Sequence, residues 1–153
     1  MRTLMQIGLV LVGLCFTPVG VAGECDSECQ LSQVKAYFGA LDKVARKGSS
    51  VADIEALLML MHPEVSYVHI EYDANFDKAS WRRAFMRNLE LGRFNNSTAQ
   101  EQRILKSING KNHLAVEYAH GVVDGEGKWH ADAPLLALFG FRDGQIVMVK
   151  ELW

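Results

Sequence analysis

In the stretch SYVHIEYD, residues Tyr67, His69, Glu71 and Asp73 alternate with Ser66, Val68, Ile70 and Tyr72. An extended backbone would turn all four of the first set to one face. A phenol, an imidazole and two carboxylates in a row are the parts of a general acid-base site, because an imidazole exchanges protons near neutral pH. Two later stretches alternate in the same way. In HLAVEYAHGVV, Leu114, Val116, Tyr118, His120 and Val122 share one face; in WHADAPLLALF, His130, Asp132, Pro134 and Leu136 do. Paired as antiparallel strands, these segments would set His120 near His130 or Asp132.

Other chemistries find less support. A metal site built from His69, Glu71, His120 and Asp132 would lack any local H-x-x-x-H spacing, so no metal is expected. No G-x-S-x-G, P-loop or G-x-G-x-x-G pattern occurs, which removes the common hydrolase, nucleotide-hydrolase and dinucleotide signals and leaves no cofactor to expect. With 16 Lys and Arg against 18 Asp and Glu, the chain has a net charge of −2. Its basic residues form no stripe interleaved with aromatics, so no nucleic-acid partner is expected.

The elements that must position these residues follow from composition and periodicity. The 153 residues, 49% hydrophobic and 22% charged, fit one globular domain. Residues 1–22 read as an export signal: Arg2, then the apolar LMQIGLVLVGLCF, then small residues at Gly20 to Ala22. That apolar run ends near Pro18 and falls short of the roughly 20 residues a spanning helix needs, so no stable membrane span is expected after cleavage. Lipoprotein processing at Cys15 is disfavoured by the bulky Leu14. Residues 23–30 form a mature N-terminal segment and 31–153 the folded domain, exported to a periplasm or secreted. Cys25 and Cys29 would then be the remaining thiols in an oxidising compartment; they could pair with each other, pair between subunits, or stay free.

Leu31, Val34, Tyr37, Phe38, Leu41 and Val44 mark one face of a first helix, ended by Gly48. A second helix runs from Ser50 to the His62–Pro63 step. A β run starts near Val65, and Trp81, Phe85 and Leu89 mark a third helix that stops at Gly92. Strands are then predicted at about 98–107, 113–123, 129–141 and 145–153, separated by NGKN, DGEGK and RDG turns. The result is an α+β domain, a curved and mainly antiparallel sheet wrapped around three N-terminal helices.

This order resembles the cone-shaped nuclear transport factor 2-like superfamily, which includes ketosteroid isomerase and the SnoaL-type polyketide cyclases. The resemblance spans Leu31 to Trp153 and rests on VKAYFGALDKV, HPEVSYVHIEYD, KASWRRAF and the closing FRDGQIVMVKELW. It implies a homodimer formed through the convex sheet face, and a pocket for a small apolar organic ligand walled by Tyr67, Trp81, Phe85 and Tyr118. Ketosteroid isomerases use a helical Tyr and a buried protonated Asp as an oxyanion hole, with an Asp base near the first hairpin. Tyr37 matches the helical Tyr and His69 falls at the base position. The acidic partner falls on Leu136 or Ala137, neither of which can donate a hydrogen bond, so the isomerase set is incomplete.

The expected function is therefore an exported small-molecule-binding domain. One alternative is an isomerase, cyclase or dehydratase in which His69 is the general base and Tyr37 or His120 steadies developing charge, with His120 and Asp132 as a further acid-base pair. A second is a protein-interaction module using the sheet face.

Overall fold

The computed structural model describes residues 25–95, 97 and 100–153; the export signal, its cleavage site and Cys15 lie outside them. Helix α1 (Ser27–Val44) begins a turn before Leu31. Two local features account for the early start. Asp26 caps the helix by accepting from Cys29 N at 2.9 Å, satisfying an otherwise unpaired first-turn donor, and Cys25 is disulfide-bonded to Cys29. Of the three possibilities open to these cysteines, the local staple is the one formed. Buried Gln30 adds a bond from Nε2 to Cys25 O at 2.9 Å.

Helix α2 (Val51–Met59) starts where Ser50 donates from N and Oγ to the Asp53 carboxylate at 2.9 and 2.7 Å. It ends before the His62–Pro63 step, and strand β1 (Met61–His69) already contains that step. Pro63 is accommodated because the pairing of β1 is irregular between Met61 and Ser66, where a missing N–H costs no ladder bond. Strand β2 (Ala74–Asp77) folds back on β1 through a turn with Asp73 at φ 47°. Helix α3 (Lys78–Glu90) opens on a reciprocal Asp77–Ser80 cap, and Gly92 at φ 64° follows it.

Four strands, β3 (Glu101–Gly110), β4 (His113–Val123), β6 (Leu135–Arg142) and β7 (Gln145–Glu151), form the expected antiparallel meander. The segment expected as one strand over 129–141 is two, because β5 (Trp129–Ala131) pairs with β4 and the chain breaks before β6. Pro134 lies in that break and has no N–H for a ladder. The sheet order is β2-β1-β7-β6-β4-β3, with β5 off that path. Its one parallel pairing, β1 with β7, joins the early hairpin to the late meander.

Helix α1 lies across the inner face of this sheet. Tyr37 and Phe38 meet Phe139 at ring-centroid distances of 5.3 and 5.8 Å, and Phe38 meets Tyr118 at 4.7 Å. Tyr37, Tyr118 and Phe139 are fully buried and Phe38 nearly so; each contributes about 2 kcal/mol in area removed from water. Midway along the solvent side of α1, a Cβ built on Gly39 meets nothing within 4 Å. Since glycine costs a helix interior about 0.5–1 kcal/mol relative to alanine, Gly39→Ala should raise unfolding stability by about that amount. A urea titration checks it, and a destabilised variant would mean that the space beside Gly39 is filled.

Candidate functional site

The parallel register of β1 and β7 sets Tyr67 opposite Val149 and His69 opposite Glu151. On the other flank of β7, Glu151 is opposite Ala137 of β6. Glu151 thus stands on the inner face between an imidazole and a small residue. Only 5% of it is exposed. Tyr67 Oη donates to its Oε2 at 3.1 Å, and the Tyr118 hydroxyl, which accepts from Trp153 Nε1 at 2.9 Å, lies on the same wall. Burial pushes Glu151 up to about 7, against the opposing pull of the two tyrosines. A carboxyl group in this range can both release and recover a proton near neutrality.

His69 is 3% exposed, so the imidazole does point inward. Its Nε2 lies 3.3 Å from Glu151 Oε2, but the alignment of a hydrogen bond is missing and both ring nitrogens are without partners. Tyr72 stacks on the ring at 4.3 Å, and Trp153 meets it edge-on at the same distance. Burial lowers the pKa of His69, and the charge of Glu71 works against that shift. Burial thus opposes charge on both groups. Two backbone bonds fix this corner: Ile70 N to Glu151 O at 3.1 Å and Glu71 N to Trp153 O at 3.0 Å. Strand β1 has ended by then, so Glu71 and Asp73 lie in the exposed turn and leave the inner row.

Two adjoining hollows, each about 270 Å³, open beside this group. One is walled by Tyr37, Phe76, Trp81, Phe85 and Asn88, the other by Ala45, Gln102, Tyr118, His120, Glu151 and Trp153, and both by Leu41, Tyr67, His69 and Tyr72. Trp81 stacks on Tyr67 at 4.4 Å and on Phe85 at 5.7 Å, serving core and wall together. Tyr37 Oη is buried with no hydrogen-bond partner, and burial raises its pKa well above the phenol range. It is a donor available to a ligand oxygen.

The structure brings together Tyr37, Tyr67, His69, Trp81, Phe85, Tyr118 and His120. Asp132 is not among the lining residues. It is exposed next to His120, with Asp132 N donating to His120 O at 2.8 Å; its charge raises the His120 pKa, but burial prevails and lowers it. His130 is drawn away from His120 to Asp124, at 2.6 Å. Among the described residues, no three His, Cys, Asp or Glu side chains are grouped to hold a metal ion. Sequence reasoning missed Glu151 and Tyr72. Alternation puts Glu151 on the same face of β7 as Val149, and burial of that face comes from the strands packed around it.

No protein-family model matches the chain. No curated protein matches it either. Solved structures do. A hypothetical protein with a ketosteroid isomerase-like fold from Catenulispora acidiphila, in complex with trimethylamine, is 18% identical at a TM-score of 0.55, with 79% of this chain and 84% of that one covered. An NTF2-like protein of unknown function from Cytophaga hutchinsonii is 10% identical at 0.51, covering 80% and 88%. An LEH-like epoxide hydrolase from M. tuberculosis is 12% identical at 0.56, covering 81% of each. The chain has the nuclear transport factor 2-like cone fold.

The raised pKa of Glu151 has a consequence for stability. Folded, the group binds its proton up to about pH 7, whereas its ordinary value is 4.5. Its contribution therefore favours the folded state below pH 4.5, declines as pH rises to 7 and is constant above. The loss is about 3 kcal/mol. His69 and His120, with lowered pKa values, act in the opposite sense, so the measurement is the difference between wild type and Glu151→Gln. The variant should gain stability relative to wild type between pH 5 and pH 8; parallel stability curves would show that Glu151 titrates normally.

Proposed function

We propose that this cone-fold chain binds a small, largely apolar organic molecule in the aromatic hollows and moves a proton on it, with Glu151 as the exchanging group. The observation that carries this reading is the buried carboxyl with a pKa of about 7, held by Tyr67 at the wall of a cavity. The reaction class it suits is proton transfer next to a carbonyl. Ionised Glu151 takes the proton from carbon, and the electron pair moves to the carbonyl oxygen. The free Tyr37 hydroxyl donates to that oxygen, where charge develops. Protonated Glu151 then returns the proton to the same carbon or another one. His69, with Nε2 3.3 Å from the carboxylate, packs against Glu151 and helps to exclude water from it. In this scheme His69 assists, and the base role expected of it from sequence passes to Glu151. A solved neighbour with this fold is in complex with trimethylamine, which supports a small-ligand role for the fold.

Export and dimerisation belong to the same proposal. The N-terminal apolar stretch supports export, as does the Cys25–Cys29 disulfide, a bond that persists in oxidising compartments. Ile108, Leu136 and Leu152 expose apolar area on the sheet strands and their margin, which supports pairing of two copies through the outer sheet face. Light scattering of the mature chain should give twice the monomer mass at micromolar concentration, and a monomer would rule the pairing out.

The chemistry is tested by incubating a panel of enolisable ketones and esters with the protein in D2O and following loss of the α-proton signal by NMR. At least one compound should exchange. Glu151→Gln should abolish that exchange, and Tyr37→Phe should slow it by about 10²-fold, as for loss of one donor to a developing oxyanion. Undiminished exchange in Glu151→Gln, or none with any compound shown to bind, would refute the assignment.

A further inference from the structure

A second concavity, about 530 Å³, runs between α1 and β3. It adjoins the aromatic hollows through shared walls. Asp42, Arg46, Gln100 and Gln102 are shared with an intermediate hollow of about 350 Å³, which in turn shares Ala45, Gln102 and His120 with the hollow at Glu151. A row of neighbouring hollows thus extends from the surface of α1 toward the buried carboxyl.

The charges along the outer part are uneven. Lys35, Lys43, Arg46 and Arg103 line it against Asp42 and Glu101, a local balance of 4 − 2 = +2 on a chain whose net charge is −2. Arg103 is committed to Glu101, with Nε at 3.0 Å and Nη2 at 2.6 Å. Asp42 accepts from Gln102 N at 3.2 Å; burial raises its pKa, against the opposing pull of that hydrogen bond and of Arg46. Lys35, Lys43 and Arg46 form no ion pair among the described residues. Lys35, Gly39 and Lys43 follow one side of α1 at helical spacing, and Arg46 lies just past its C-terminus. The floor is apolar, Phe38 and Ile104. A solvated helix face needs no glycine at its centre. Gly39 weakens the helix and is not required by any neighbour, yet it leaves the concavity open between the two lysines.

From this we infer that the α1–β3 groove is an anion-recognising arm of the same site, and that the ligand is an organic anion. Its apolar body occupies the aromatic hollows and its carboxylate, sulfonate or phosphate group lies against Arg46 and Lys43, with Lys35 at the outer end. Charge-assisted hydrogen bonds from an arginine favour such a group, and partial exposure makes the attraction sensitive to salt. The inference rests on the reading that the aromatic hollows hold the ligand, but not on the proton-transfer step.

Two fluorescent probes with the same arylamine body separate these points: 8-anilinonaphthalene-1-sulfonate, which is anionic, and N-phenyl-1-naphthylamine, which is neutral. The sulfonate should bind about tenfold tighter at low salt, as expected for one hydrogen bond to a charged group, and lose that advantage as salt rises. Arg46→Gln combined with Lys43→Gln should bring it to the affinity of the neutral probe and leave the neutral probe unchanged. Gly39→Leu, whose side chain enters open space, should also weaken the sulfonate selectively. Equal affinities for the two probes, or a sulfonate indifferent to the double substitution, would overturn the anionic arm alone. Asn88→Trp, at the wall of the aromatic hollow, should weaken both probes; if the neutral probe binds it as well as wild type, the hollow reading fails and the arm fails with it.

Discussion

The side-by-side placement of His69 and Glu151 in the parallel pairing of β1 and β7 is the constraint on which the rest of the site depends. A buried carboxyl is costly unless it is hydrogen-bonded or protonated, and here both remedies are used. Tyr67 supplies a hydrogen bond from the adjacent strand β1, and the raised pKa supplies a proton for much of the time. The Tyr67 hydroxyl would be unsatisfied without the acid, and the acid would be more strained without it. The same contact joins the earliest strand to the last.

Around that contact the helices supply walls more than chemistry. Helix α1 contributes Tyr37 and Leu41, and α3 contributes Trp81, Phe85 and Asn88. Aromatic stacking from Phe85 through Trp81 to Tyr67 transmits the position of α3 to the hydroxyl that holds Glu151. A shift of α3 would thus be felt at the acid although no α3 side chain touches it in a recorded hydrogen bond. The turn after β1 works similarly, since backbone bonds to Glu151 and Trp153 hold Tyr72 over the imidazole.

Much of this architecture could be read from the residues. Periodicity located α1, α2 and α3, and the D-G and N-G-K-N signals located the meander turns, where Asn112 and Asp143 adopt positive φ. Boundaries failed where pairing overrode local preference: Pro63 reads as a stop but fits an irregularity in a strand, and Pro134 splits a segment whose hydrophobicity looks continuous. His69 and Tyr37 were singled out through the resemblance, and both line a hollow. Glu151 was not, since its role arises from burial by strands distant in sequence, and alternation alone does not say which face of β7 is dry. Asp132 was overrated for the complementary reason: facing His120 across a ladder does not place a side chain inside.

The register between Ala137 and Glu151 bears on how sequence position maps onto place in this fold. The acidic position implied by the isomerase resemblance falls on Leu136 or Ala137; Ala137 is on the inner face, and the buried acid stands directly across the ladder at Glu151. Neighbouring inner positions on adjacent strands are one spatial address with two sequence addresses. A side chain at either address therefore faces the same chamber, although the two are 14 residues apart in sequence.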